Sequence, residues 1–202
     1  MKLAAIAKIF IIMVFVVFVS NSHTATVAAE EPALDHNWAF LLYGGTHAQN
    51  SISDIITFDA DYAGDNHMVV TAVNWQAYNY QPYVSFELEG QLGRHFGDDV
   101  SHWEFVTLVL GRWHLFPWND IIRTSFAFGS GLSSYTEISR LEQTEEDDAQ
   151  RLLGYLAFEL TFGLPQLPRW DLLLRIHHRS GMKGLIGEGS SNFLAAGLKY
   201  TF

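Results

Sequence analysis

Apolar and polar residues alternate with a period of two along several stretches of this chain, and most of these stretches run for ten residues or more. Between residues 83 and 93, for example, Phe86 and Leu88 fall on one face, whereas Glu87 and Glu89 fall on the other. A helical period of 3.6 would scatter these residues around an axis. The alternation therefore predicts β-strands with one apolar face and one polar face.

Eight stretches of this kind are present, near residues 37–46, 67–77, 82–94, 102–114, 120–132, 151–163, 170–180 and 191–202. A strand of a soluble protein has about five or six residues, whereas a tilted transmembrane strand needs about 9–11. Three connections are short, near 78–81, 115–119 and 164–169, and four are longer or more polar, at 47–66, 95–101, 133–150 and 181–190. Short turns at one end and longer loops at the other are typical of outer-membrane barrels.

The sheet must close, because backbone groups at an open edge would find no hydrogen-bond partner in lipid. The terminal Phe202, on a final alternating strand, resembles the assembly signal of such barrels. We therefore predict an all-β protein, with residues 30–202 forming a single eight-stranded antiparallel transmembrane outer-membrane β-barrel. A soluble periplasmic sandwich or lipocalin-like barrel is the alternative, but its polar faces would carry more charge than the 17% of charged residues found here.

The N-terminal segment has the features of a signal peptide. Lys2 and Lys8 precede an apolar run from Ile9 to Val19, and small residues follow as far as Ala29. We expect residues 1–29 to be removed and the protein to reach the bacterial outer membrane. An uncleaved anchor helix is the alternative, although the run is shorter than the about 20 residues that a spanning helix needs.

Composition excludes several other functions. The net charge of −10 argues against a nucleic-acid partner, and the lack of cysteine excludes disulfides and thiolate metal sites. Histidines such as His36, His47, His67, His95, His102 and His114 show no repeated metal-ligand spacing. We therefore predict no cofactor and no metal ion from the sequence.

Charged residues on the polar faces are expected to point into the barrel, where side chains fill an eight-stranded lumen. They are Glu87, Glu89, Glu104, Glu159, Arg112, Arg123 and Arg175. We interpret them as an internal network of ion pairs rather than a conducting path. The tryptophans lie mostly near predicted strand ends, as in interfacial girdles: Trp38, Trp75, Trp103, Trp113, Trp118 and Trp170.

The last two predicted strands carry a polar group of unusual placement. With Leu172, Leu174 and Ile176 facing lipid, alternation continues that face through His178 and Ser180. Counting back from Phe202 places Asn192 on the same outer face of the next strand, beside them. Polar side chains facing lipid are costly, so a function is the first hypothesis for them. Serine, histidine and an orienting residue form the arrangement used for acyl transfer.

These residues resemble the motif of a known family, the outer-membrane lipid A 3-O-deacylases. These are eight-stranded barrels with a Ser-His-Glu triad on the lipid-facing surface, written as His-x-Ser followed twelve residues later by Glu. Here His178-Arg179-Ser180 matches His-x-Ser, and Asn192 stands twelve residues after Ser180. The resemblance implies that Ser180 is the nucleophile, His178 the general base and Asn192 the orienting residue. It implies lipopolysaccharide, through lipid A, and outer-membrane lipid as partners.

Two departures from the family pattern leave alternatives open. The triad acid is replaced by Asn192, and Gly181 stands where the family tends to have asparagine. Glu188 is an alternative acid and His177 an alternative base, although alternation points His177 inward. Lys183 and Arg179 are candidates for binding lipopolysaccharide phosphate without catalysis, and the acidic loop at 142–148 for bridging divalent cations.

The sequence thus predicts a lipid A deacylase-like esterase that hydrolyses an ester-linked acyl chain of lipopolysaccharide in the outer leaflet. The alternative is a non-enzymatic small outer-membrane barrel with a structural role or a loop-mediated binding role.

Overall fold

The computed structural model describes residues 37–49, 51–62, 65–138, 140, 150–181 and 189–202. They form a closed barrel in which each strand pairs antiparallel with the next and the first pairs with the last. The strands are β1 (Trp38–Ala48), β2 (His67–Tyr80), β3 (Val84–Phe96), β4 (Trp103–Trp113), β5 (Arg123–Tyr135), β6 (Leu152–Gly163), β7 (Trp170–Ser180) and β8 (Ser190–Thr201). The predicted eight-stranded antiparallel barrel is confirmed, whereas the predicted signal peptide, residues 1–29, lies outside the described residues.

The two ends of the barrel differ in their connections. Connections of three, nine and six residues join β2 to β3, β4 to β5 and β6 to β7 at one end, while at the other end a short helix, α1 (Ile52–Thr57), lies in the 18-residue connection from β1 to β2. Ser51 is the N-cap residue of this helix, and the Asp54 carboxylate reaches back to accept from the backbone N–H and the hydroxyl of Ser51. Among the described residues, no helix is long and apolar enough to cross a membrane.

Strand ends differ from the sequence prediction by up to three residues, and hydrogen bonding explains two of these differences. β2 continues to Tyr80 because a bulge between Gln76 and Tyr78 lets the pairing with β3 go on past residue 77. β5 begins only at Arg123, since the backbone N–H groups of Ile121 and Ile122 both donate to Trp118 O and form a turn. The strands themselves stay as predicted, and the differences concern their ends.

Because side chains alternate along each strand, one face of the strand points to the outside of the barrel and the other points into the lumen. On β3, Phe86 and Leu88 are 49% and 43% exposed on the outside, whereas Glu87 and Glu89 are 3% and 4% exposed on the inside. The exposed apolar side chains of all eight strands form a belt for the hydrocarbon of a membrane. Tryptophans lie near the edges of this belt: Trp38 begins β1, Trp103 begins β4, Trp113 ends β4 and Trp170 begins β7.

As predicted, ion pairs fill part of the lumen, here the part nearer the turn end of the barrel. Arg112 pairs with Glu87 at 2.6 Å and with Glu159 at 2.7 Å, and Arg175 pairs with Glu89 at 2.6 Å and also with Glu159. In addition, Lys199 Nζ lies 3.7 Å from Glu87, and Asn74 donates to both Glu87 and Glu89. Three cationic and three anionic side chains thus compensate one another, which is what burial of charge requires.

The prediction that Arg123 belongs to this network is wrong. Its side chain is 36% exposed and pairs with Asp171 at 2.7 Å. Arg123 is the first residue of β5 and Asp171 the second of β7, so both lie at the turn end of the barrel. Alternation correctly predicted that Arg123 lies on the lumen-facing side of β5. Because Arg123 is at the end of the strand, its guanidinium lies at the mouth of the barrel, where water can reach it.

Candidate active site on the outer surface

The pairing of β7 with β8 brings two of the three predicted site residues together. His178 stands opposite Asn192, and Ser180 stands opposite Ser190. His178 Nδ1 lies 2.7 Å from Asn192 Oδ1. Because an amide oxygen only accepts, His178 Nδ1–H is the donor, and this tautomer leaves the lone pair on Nε2. An imidazole held in this way is oriented to act as a base.

Burial fits a site at the edge of the lipid-facing surface. The side chains of His178 and Ser180 are half-buried, and Asn192 is 9% exposed between β7 and β1. No charged group belongs to this trio, so the orientation of His178 rests on a neutral hydrogen bond. Asn192 therefore positions the imidazole without adding the charge that a carboxylate would supply.

Ser180 is on the same face as His178, two residues further along β7. Within the described part of the chain, no hydrogen bond joins Ser180 Oγ to His178. Hydrogen bonds between a nucleophile and its base are often long before substrate binds. The structure thus aligns His178 with Asn192 and leaves Ser180 beside them, without a direct contact.

The other side chains considered from the sequence occupy different places. His177 is 1% exposed and faces the lumen, as alternation predicted, so it does not share a surface with Ser180. Arg179 also points inward, where its guanidinium stacks over Tyr135 at 3.7 Å and donates to backbone oxygens before β6. Glu188, Lys183 and the acidic stretch 142–148 lie outside the described residues.

A small polar hollow adjoins Asn192 on the side of β1. Its volume is about 200 Å³, and hydroxyl, amide and imidazole groups line most of it: His47, Gln49, Ser51, Ser190, Ser191 and Asn192. It lies at the loop end of the barrel, because β1 ends and β8 begins there. Such a lining suits the hydroxyl and amide groups of a polar molecule beside Asn192.

A second polar cluster lies inside the barrel and was missed by the sequence analysis. His95, Glu104 and His177 bring their ligand atoms to within 4.8 Å of one another, and all three side chains are buried. They come from β3, β4 and β7, so no short spacing marks them in the sequence. Alternation places all three side chains on the lumen-facing side of their strands, and this shared face is the one sign of the cluster that the sequence offers.

Comparisons with known proteins identify the fold. No family model matches the chain, and none of the curated proteins searched matches it in sequence. The crystal structure of the outer membrane enzyme PagL matches with a TM-score of 0.55 at 8% identity, covering 81% of this chain and 99% of that one. The crystal structure of Neisserial surface protein A (NspA) matches with a TM-score of 0.49 at 7% identity, covering 82% and 96%.

The likeness to PagL concerns the fold alone, because so few residues are identical. It agrees with the closed barrel and with its apolar outer belt. This chain therefore has the fold of a small eight-stranded outer-membrane barrel, and its activity depends on its side chains.

Proposed function

We propose that this protein is an outer-membrane ester hydrolase that removes an ester-linked acyl chain from lipid A, the lipid part of lipopolysaccharide. The observation that carries the proposal is the hydrogen bond between His178 and Asn192 at 2.7 Å, with Ser180 on the same outer face. The match of His178, Ser180 and Asn192 to the spacing of the deacylase motif adds support.

The proposed reaction begins with His178 Nε2 as general base. It takes the hydroxyl proton of Ser180 while Oγ attacks the ester carbonyl of the acyl chain. The tetrahedral intermediate then collapses, His178 returns the proton to the leaving alcohol, and an acyl-serine remains. Water, activated by His178, hydrolyses the acyl-serine and releases a free fatty acid.

The substrate class follows from where the trio lies. A nucleophile that faces hydrocarbon meets lipid esters within the membrane, whereas soluble esters stay in water. The polar hollow beside Asn192 offers hydroxyl and amide groups to the sugar headgroup of such a lipid. A site at the loop end of the strands serves the outer leaflet, which in Gram-negative bacteria contains lipopolysaccharide.

The test is the mass spectrum of lipid A from cells with and without the protein. We expect wild type to shift lipid A to a mass lower by one acyl chain, and Ser180→Ala and His178→Ala each to abolish the shift. Ser134→Ala and His67→Ala are matched controls. Ser134 on β5 and His67 on β2 also lie near the loop end, on the lipid-facing side of their strands. Both should leave the shift unchanged.

A non-enzymatic barrel is the second candidate, and two observations favour it. Ser180 and His178 are not hydrogen-bonded to each other within the described residues, and Asn192 stands where the family has its acid. This candidate predicts an unchanged lipid A spectrum for wild type and for all four variants. The proposed hydrolase fails on the same result.

A further inference from the structure

We propose that His95, Glu104 and His177 bind one divalent transition-metal ion inside the barrel. This inference is independent of the proposed hydrolase, because the three side chains face the lumen and His178 faces lipid. The cluster lies closer to the loop end of the barrel than the ion pairs of Arg112 and Arg175 do.

The geometry of the three ligand atoms is compact. His95 Nε2 lies 2.8 Å from Glu104 Oε2, and His177 Nε2 lies 2.9 Å from the same oxygen. Metal–ligand bonds of about 2.0–2.1 Å in a tetrahedral site place neighbouring ligand atoms about 3.3 Å apart. To bind an ion, the two distances to Glu104 Oε2 would have to lengthen by about half an ångström, and the two imidazole nitrogens, which lie within 4.8 Å of each other, would have to come to about 3.3 Å.

One ligand nitrogen of the cluster lacks an aligned hydrogen bond. Among the described residues, His177 Nε2 has the 2.9 Å ion-pair contact with Glu104 Oε2 but no hydrogen-bond partner. A buried nitrogen without a partner is costly. A metal ion accepting the lone pair of His177 Nε2 would remove that cost.

His177 and Glu104 each have a neighbour of the kind that orients a metal ligand. Tyr155 Oη lies 3.1 Å from His177 Nδ1, so a His177 bound to metal through Nε2 can donate its Nδ1–H to this oxygen. Ser133 Oγ donates to Glu104 Oε1 at 2.5 Å, which leaves Oε2 facing the two imidazoles. Partners of this kind fix the tautomer of a histidine and the direction of a carboxylate.

Charge also favours a cation here. The other buried acids of the lumen are paired with Arg112, Arg175 or Lys199. Glu104 differs, because its ion-pair partners among the described residues are two imidazoles, which are charged only when protonated. Two imidazoles and one carboxylate suit zinc and neighbouring transition metals, whereas calcium and magnesium prefer oxygen ligands.

The experiment measures zinc binding by the full chain without a histidine tag. The protein is folded in detergent with Zn²⁺ present, freed of excess metal and analysed for zinc by mass spectrometry. We expect one ion per chain, with an affinity reduced at least about 100-fold in Glu104→Gln and in His177→Gln, since even second-shell changes cost 10–100-fold. His67→Gln removes a histidine from the outer face and should bind as wild type does.

Folding of each variant is checked by the heat-dependent shift of its band in detergent gels. The absorption spectrum of wild type loaded with Co²⁺ gives a second readout that needs no variant, and bands of a low-coordinate site with nitrogen ligands are expected. Zinc binding that is absent from wild type, or unchanged in Glu104→Gln, overturns the proposal. So does a Co²⁺ spectrum identical to that of the hydrated ion.

Discussion

At the scale of single residues, Asn192 is the side chain that most affects the chemistry open to this site. Its amide oxygen accepts from His178 Nδ1–H and so fixes the imidazole. It carries no charge, and an imidazolium formed during catalysis would be stabilised less than beside a carboxylate. In a serine protease, replacing the triad aspartate by asparagine lowers kcat by about 10⁴ because the histidine takes the wrong tautomer, a loss that the orientation of the Asn192 oxygen toward Nδ1 avoids here.

The first prediction follows from this missing charge. Replacing Asn192 by glutamate should raise the rate of deacylation by about tenfold or more, because a carboxylate stabilises the imidazolium that forms when Ser180 loses its proton. Asn192→Gln has the same length without the charge and serves as the control. Initial rates of fatty-acid release measure the effect, and a glutamate variant no faster than the glutamine variant contradicts it.

A second prediction concerns Arg175, which is fully buried and holds Glu89 and Glu159. Arg175→Leu leaves both carboxylates without that partner, and removing one member of a buried pair costs about 3–5 kcal/mol. Arg123→Leu is the control, since the half-exposed pair of Arg123 with Asp171 is worth about 0–1 kcal/mol.

Urea unfolding of both variants in detergent measures the free energy of unfolding. Equal losses in the two variants would mean that burial does not govern the strength of these pairs. A loss below about 1 kcal/mol for Arg175→Leu would contradict the prediction directly.

At the scale of elements, β8 has two tasks: it carries Asn192 and it closes the barrel against β1. The closure is tight at Gly197, where a Cβ atom would meet Leu42 O at 2.2 Å and Tyr43 Cβ at 2.4 Å. These contacts involve the backbone and the base of a side chain, so neither can rotate away. The absence of a side chain at Gly197 is therefore a condition of the β1–β8 pairing.

The third prediction is that Gly197→Val destabilises the closed barrel by more than the roughly 1–3 kcal/mol typical of overpacking. Gly90→Val is the matched control, because a Cβ atom at Gly90 would have no neighbour within 4 Å. The fraction of folded protein is read from the heat-dependent gel shift after refolding. Equal folding of the two variants would contradict the proposed role of Gly197.

Strands of this kind are predictable because one face meets lipid and the other meets the lumen, which imposes the period of two on the sequence. Their ends are less predictable, since they depend on hydrogen bonds that alternation does not encode. The bulge near Tyr78 and the turn at Trp118 moved two boundaries. The same limitation explains Arg123, whose face was predicted but whose exposure was not.

The outer-surface residues were predictable to a different degree. His178 and Ser180 are two residues apart on one strand, so parity alone puts them on one face. Asn192 follows from counting along an antiparallel hairpin, and its pairing with His178 confirms that register. The cluster of His95, Glu104 and His177 needs the closed barrel, because β7 lies across the lumen from β3 and β4. Nothing in the linear spacing of these residues encodes that proximity.

At the scale of the whole molecule, the barrel separates two environments by a single layer of backbone. Inside, charged side chains are paired and buried. Outside, an apolar belt meets lipid, and the polar trio on β7 and β8 interrupts the outer face near the loop end. A membrane enzyme that works on lipids needs polar side chains on its lipid-facing surface, whereas a purely structural barrel does not.

The most direct test is the rate at which the purified protein releases fatty acid from lipopolysaccharide in detergent. We predict release by wild type and by Ser134→Ala, and no release above background by a folded Ser180→Ala. Release that persists in Ser180→Ala, or that is absent from wild type while its barrel is folded, would contradict the assignment of Ser180 as the nucleophile of an outer-surface esterase.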